Sequence, residues 1–334
     1  MGTGITALNK VQLGREATAG TAVAATTIGR WEGCYIVDEE EVYFPAENVG
    51  LVVDTDRACN PSKSASIAIP ENVATFEQIL HILEMGIKTD TPAQDGAGDG
   101  YIYEYPFPTT AQLTPKSYTI EGGNDEDVYE VEYCHAVDFS ISGEVNQPLM
   151  FTANIRGRQA SDASFTAALS IPTVEEMLFN KCKFYSSDVG DGFGNDQLEN
   201  TLLGFTLNVQ TGFVGRQTAE GELYFSYLKQ TKPIVTLDLR MEHNDNAVAE
   251  IADARALTAR AIRILCEGTA FDTGGTTYNN KTMIMDIAGK YSAIPAVEDD
   301  DGSSIMNFTL QGGYNATLSK LGQITVVTSL ASIP

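Results

Sequence analysis

LGFTLNV (203–209) places Leu203, Phe205, Leu207 and Val209 on one side of an extended chain and Gly204, Thr206 and Asn208 on the other. IVTLDLRM (234–241) repeats the arrangement through Val235, Leu237, Leu239 and Met241. A period of two is what a strand needs when one face is buried and the other meets water. The same rhythm runs through YEVEY (129–133), AVDFSIS (136–142) and LMFTANI (149–155), so the chain reads as mainly β.

Helical spacing is rare. ATFEQILHILEMG (74–86) carries Phe76, Ile79, Leu80 and Leu83 at intervals of three and four, with Gly86 as a stop. NAVAEIADARALTARA (246–261) follows an Asn-Asp-Asn capping cluster, and its alanines predict a narrow buried face that packs close to a sheet. The order of elements around these helices repeats. The first half runs CYIVDEEEVYF, SASIAI, helix, SYTIEG, VYEVEY, AVDFSIS and LMFTANIRG. The second runs GFTLNVQTGFVGRQTAEGELYF, IVTLDLRM, helix, AIRILCEG, KTMIMDIAGKY and SIMNFTLQGGY. The pattern predicts two tandem β-sandwich or barrel domains, each with one flanking helix, at 31–168 and 169–334, behind an extended N-terminal arm at 1–30.

A 43% hydrophobic fraction is enough for a substantial core, and 45 acids against 21 bases leave a formal charge of -24, which opposes binding to nucleic-acid phosphates. No segment has the pattern of a secretory signal or the roughly 18 consecutive apolar residues of a membrane span, so a soluble protein made in the cytoplasm is expected. The five cysteines, Cys34, Cys59, Cys134, Cys182 and Cys266, are widely spaced and read as reduced thiols.

Catalytic signatures are missing from the sequence. There is no G-x-S-x-G, Walker loop or H-E-x-x-H, and His81, His135 and His243 are isolated from one another, so structural roles and a non-enzymatic protein are expected. No cofactor and no metal are expected. DVGDGFGND (188–196) offers carboxylates but lacks the spacing of a calcium loop. DEEE (38–41), DED (125–127) and EDDD (298–301) read as solvated loops, with Asp38, Glu39, Glu40 and Glu41 as candidates for an acidic surface or lumen. TMIMDI (282–287) reads as core, and GFVGRQTAEG (212–221) as a hairpin tip, either an ordinary loop or an arm to a neighbour. A sugar-binding β-sandwich is the alternative, with Tyr101, Tyr103 and Tyr105 as its aromatic platform; a two-carboxylate glycosidase ranks below it.

GREATAGTAVAATT (14–27) has only Val23 as an apolar anchor, too little to offset the entropy of ordering the segment by itself. It is expected to take its order from another surface, and an extended arm can do so by adding to a sheet on a second subunit. LNKVQLGREATAGTAVAATT (8–27), through Gly14-Arg15-Glu16 and Gly20-Thr21-Ala22, resembles the start of phage tail tube proteins. SYTIEGG (117–123), AVDFSISGEVNQPLMFTANIRGR (136–158) and the repeated element order extend that resemblance over most of the chain.

The resemblance implies a structural subunit of a long, non-contractile tail, assembled in a bacterial cytoplasm into stacked rings through which DNA leaves the virion. Its partners would be copies of itself and other tail proteins, with no membrane. A duplicated chain implies three subunits per ring in place of six. Leu13, Gly14, Arg15, Glu16, Gly20, Thr21, Ala22 and Val23 are then the expected inter-subunit arm. The halves differ in their long loops, GDGFGND and TGGTTYNN (273–280), so exact equivalence around the ring is not expected.

Overall fold

Alternating segments become strands in the computed structural model, which describes residues 4–334. The first half contains β1 (Lys10–Arg15), β2 (Thr27–Gly29), β3 (Tyr35–Tyr43), β4 (Cys59–Val73), α1 (Ile79–Gly86), β5 (Ala93–Gln94), β6 (Tyr101–Pro106), β7 (Tyr118–Gly123), β8 (Val128–Glu144), β9 (Met150–Gly157) and β10 (Ala160–Asp162). The second contains β11 (Cys182–Asp188), β12 (Leu202–Gln210), β13 (Phe213–Arg216), β14 (Tyr227–Gln230), β15 (Ile234–Glu242), α2 (Asp245–Ala256), β16 (Arg260–Ala270), β17 (Asn280–Tyr291), β18 (Val297–Asp300), β19 (Ser303–Gly312) and β20 (Gly322–Thr328). Strand accounts for 48% of the chain and helix for 8%, so the fold is mainly β. Among the described residues no barrel closes.

The antiparallel pairings recur between the halves. β1–β7 is matched by β11–β16, β3–β4 by β12–β15, and β4–β9 by β15–β19. β7–β8 is matched by β16–β17, and β8–β10 by β17–β20. One strand differs in its course. β8 runs unbroken from a pairing with β7 and β10 into a pairing with β9 and β12. Its counterpart stops at Tyr291 and resumes as β18 beyond Pro295, a residue with no N–H to give a ladder. The halves are not sealed from each other, because β8 pairs with β12 and β6 with β20.

α1 is shorter than its hydrophobic spacing predicts, because residues 74–78 enter as a bridge and turn. All eight of its residues are buried, His81 and Glu84 included. α2 buries only Ala247, Glu250 and Ala254, the narrow stripe its alanines predict. It begins on the Asn244 side chain, which accepts from the Ala247 N–H, and ends at Leu257 in the left-handed region, four residues before its expected end.

The N-terminal segment corrects the expected arm. Residues 1–3 of it lie outside the described residues. β1 pairs with β7 along its whole length and with β2 on its other edge, and Val11 and Leu13 are buried in the chain's own core. Arg15 forms a two-pronged pair with Glu84 of α1, both contacts 2.9 Å. The Glu16 carboxylate accepts from the Gly20 N–H, the Tyr133 N–H and Thr119 Oγ1. The Val23 N–H donates to Thr119 Oγ1 and the Thr26 N–H to the Leu13 carbonyl.

Gly14 and Gly20 are small for intrachain reasons: a Cβ at 14 would lie 2.7 Å from the Ala24 carbonyl oxygen, and Gly20 has φ +77° against the Arg158 guanidinium. Thr21 and Ala22 stay exposed at the turn. The segment lacks its own core because it borrows this chain's. Beyond the 212–221 tip the returning chain is held to its own molecule, since Arg158 donates to the Phe225 and Ser226 carbonyls and stacks over Tyr133 and Tyr224.

Candidate assembly surfaces

Among the described residues, one sheet that spans both halves offers three features its own core does not use: a polar face, its two edges and an apolar loop beside it. The face is the outer side of β3-β4-β9-β8-β12-β15-β19, a run of consecutive antiparallel pairings that crosses from one half to the other. Alternation puts Phe139, Ile141, Phe205, Leu207, Leu237 and Phe308 inward. Short polar side chains therefore point outward, and they bond to one another across strands. Ser140 meets Thr152 at 2.8 Å, Asn154 donates to Asp138 at 2.7 Å, and Asp238 accepts from Asn208 at 3.2 Å and Thr309 at 2.6 Å.

Carboxylates outweigh cations on this face. Glu39, Glu41, Asp138, Glu144, Asp238 and Glu242 stand against Arg156 and Arg240, and no lysine projects from it. Of the expected acidic quartet, Glu39 and Glu41 share this side, with Glu39 paired to Arg156 and bonded to Ser64 and Ser66. The Ser66 hydroxyl, opposed by partial burial and helped by Arg156, holds the Glu39 carboxyl below its ordinary range. Asp38 and Glu40 fall on the other side because the side chains of a strand alternate. There Glu40 pairs with Lys63, and burial together with Glu40 pushes the Asp38 carboxyl up.

The edges of this sheet belong to β3 and to β18, which extends the run beyond β19. Among the described residues β3 pairs only with β4, and β18 only with β19. The loop joining β3 to β4 carries Phe44, Leu51, Val52 and Val53, all exposed, with Val52 wholly in solvent. Contiguous apolar side chains in water mark contact surfaces. β18 was hidden in the sequence because EDDD reads as a solvated loop. The apolar loop had a visible signal, LVV at 51–53 beside Gly50, with no alternation to place it in a strand.

Other candidates disperse. Tyr103 and Tyr105 are fully buried, with the Tyr103 hydroxyl donating to the Leu330 carbonyl, so the three tyrosines do not form the aromatic platform of the alternative reading. Among the described residues no three His, Cys, Asp or Glu side chains converge as a metal requires, and Asp188 of the acidic loop pairs with Arg260. No helix among them is long and apolar enough to cross a membrane. No protein-family model and no curated protein matches the chain.

His81 and His135 are buried and are held neutral. Burial, aided by Arg15, brings the His81 imidazole down to about 3, and burial brings His135 down to about 4. The unfolded chain binds protons at these sites below about pH 6.5 and the folded chain does not, so stability present above pH 6.5 is lost as pH falls toward 4. At pH 4.5 each imidazole is expected to cost about 2.5 kcal/mol. Glu84 and Asp286, whose carboxyls are raised by burial, work the other way on acidification. Urea unfolding of the His81→Gln, His135→Gln variant should therefore show a shallower loss of stability from pH 6.5 to 4.5 than the parent. Identical slopes would show that these imidazoles titrate freely in the fold.

Proposed function

We propose that this chain is a structural, non-enzymatic subunit that assembles with copies of itself into stacked rings, the tail tube of a long-tailed phage. The observation that carries this reading is the acid-rich face, its polar side chains hydrogen-bonded to one another, which spans both halves of a repeated fold. A wall of this kind suits a conduit for DNA. Its carboxylates repel phosphates within about 10 Å at 0.1 M salt, and its donors and acceptors are largely engaged, so a duplex can pass without adhering. With two repeats per chain, three chains complete a ring of six similar units. The N-terminal strand, used inside the fold, takes no part in this assembly; the contacts fall to the free edges and the apolar loop.

Electron microscopy of concentrated protein should reveal rings or tubes with a bore of duplex width. A monomer at every concentration and salt tested would overturn the proposal. Stacking is assigned to the 44–53 loop, where the apolar side chains have no other use. Leu51→Asp with Val53→Asp should leave thermal stability within about 0.5 kcal/mol, as exposed substitutions do, while converting tubes to separate rings in the same images. Undiminished tubes would remove the loop from the contact.

A further inference from the structure

The two vacant edges of this sheet, β3 and β18, are the counterparts of two edges that are joined inside the chain. Leu207 of β12 faces Leu237 of β15, and Ile36 of β3 faces Ile67 of β4, so Ile36 occupies in the first half the position of Leu207 in the second. Ile141 of β8 faces Phe151 of β9, and Val297 of β18 faces Met306 of β19, so Val297 stands for Ile141. Flanking residues agree with both equivalences. Gly33 and Gly204 each lie three residues before Ile36 and Leu207, and Asp300 and Glu144 each lie three residues after Val297 and Ile141. Inside the chain Leu207 is paired with Ile141 in the antiparallel β12–β8 ladder. The same ladder has one vacant place on each half.

We infer that β3 of one copy adds antiparallel to β18 of a second copy in the register of β12 on β8, with Ile36 opposite Val297, Tyr35 opposite Glu298 and Val37 opposite Ala296. This joint rests on the ring reading above and names its contact. Its occupant is a second copy because each edge has its complement on the other half of the same molecule, a head-to-tail relation that closes into rings when the rotation allows. Tyr35, Val37, Ile294 and Val297 are all exposed in the single chain, an apolar lining for edges that would otherwise invite indiscriminate pairing.

Charge selects the register. Glu298, Asp299 and Asp300 fall opposite Tyr35, Cys34 and Gly33, while Asp38 and Glu39 fall opposite Pro295 and Ile294, so along the two strands no carboxylate faces another, and the first such pair, Glu32 with Asp301, lies in the turns beyond them. A slip of four residues would set the two acidic runs against each other, which directly opposed like charges disfavour. Pro295 lacks the N–H to continue the ladder, so this joint is shorter than β12–β8 and more readily reversed.

Cross-linking tests the register. In a Cys59→Ser background, which removes the exposed thiol, Val37→Cys with Ala296→Cys places a thiol on each side of the joint. Oxidation should give a reducible ladder of covalent oligomers, because directly opposed residues have Cβ atoms about 4.5–5.5 Å apart. Val37→Cys with Asp300→Cys displaces one thiol by about 13 Å along the strand and should give no ladder above background. Asn208→Cys with Ser140→Cys should cross-link within one chain without raising its mass.

Tyr35→Cys with Glu298→Cys probes the next rung on the same face, so a single misfolded variant does not decide the result. Oligomers in sedimentation with no ladder from either in-register pair, or an equal ladder from the displaced pair, would overturn the joint and leave the ring reading standing. A parent protein that sediments only as monomer would overturn both.

Discussion

Truncation of residues 1–30 is expected to abolish cooperative folding. The deletion removes β1 and β2, strips the β7 edge of its partner, and takes Val11 and Leu13 from the core. Burial of two such side chains is worth about 1.5–3 kcal/mol each. Loss of Arg15 leaves the Glu84 carboxylate buried with only Tyr118 and the Asp90 N–H as donors, and breaking a buried pair in this way costs about 3–5 kcal/mol. The combined loss is comparable with the whole stability of a typical domain, about 5–15 kcal/mol. Near-ultraviolet circular dichroism and a thermal melt of the truncated chain should show no native transition. A sharp melt near that of the parent would return the segment to the role of a dispensable arm.

Arg260→Met should destabilise the second half by about 3–5 kcal/mol. Arg260 reaches Glu250 of α2 through Nε at 3.1 Å and Nη2 at 2.7 Å, and the Tyr291 hydroxyl donates to the same carboxylate at 2.7 Å. The arginine and glutamate side chains are 9% and 3% exposed, so methionine would strand a carboxylate that water cannot reach. Adding Glu250→Leu should restore most of the loss, because the cost lies in the orphaned charge more than in the absent attraction. Chemical denaturation of parent, single and double variants gives the comparison; equal destabilisation of single and double would show that packing, and not charge, is at stake. The first half has the same device, Arg15 with Glu84 and Tyr118, although its arginine comes from β1 and not from the strand after the helix. In each half this polar clamp fixes the one helix to its sheet.

Much of the fold was legible in the residues. Alternation in 136–142, 149–155, 203–209 and 234–241 marked strands whose inward sets, such as Phe139 with Ile141 and Leu237 with Leu239, are those the structure buries. Period-two burial depends on local geometry alone, which is why it can be read without knowing the partner. Helix ends were less legible: Leu257 stops α2 through a left-handed cap that the apolar spacing of ALTARA does not announce. Tyr101, Tyr103 and Tyr105 had the alternation of a strand, but whether their face met water or core depended on β20, more than two hundred residues away.

The sequence by itself determined that this is a mainly β protein with a repeated order of elements and a strong excess of acid, since periodicity and charge are properties of neighbouring residues and of sums over the chain. Only the tertiary structure decided that GREATAGTAVAATT lies within its own molecule, held by Glu16, Thr119 and the edge of β7, and that β3 and β18 form the two edges of the polar sheet. Small residues are compatible with an arm on a neighbour and with a tight internal turn alike. What separates the two is which backbone edge lies within hydrogen-bond reach, and that is set by contacts between residues far apart in the chain.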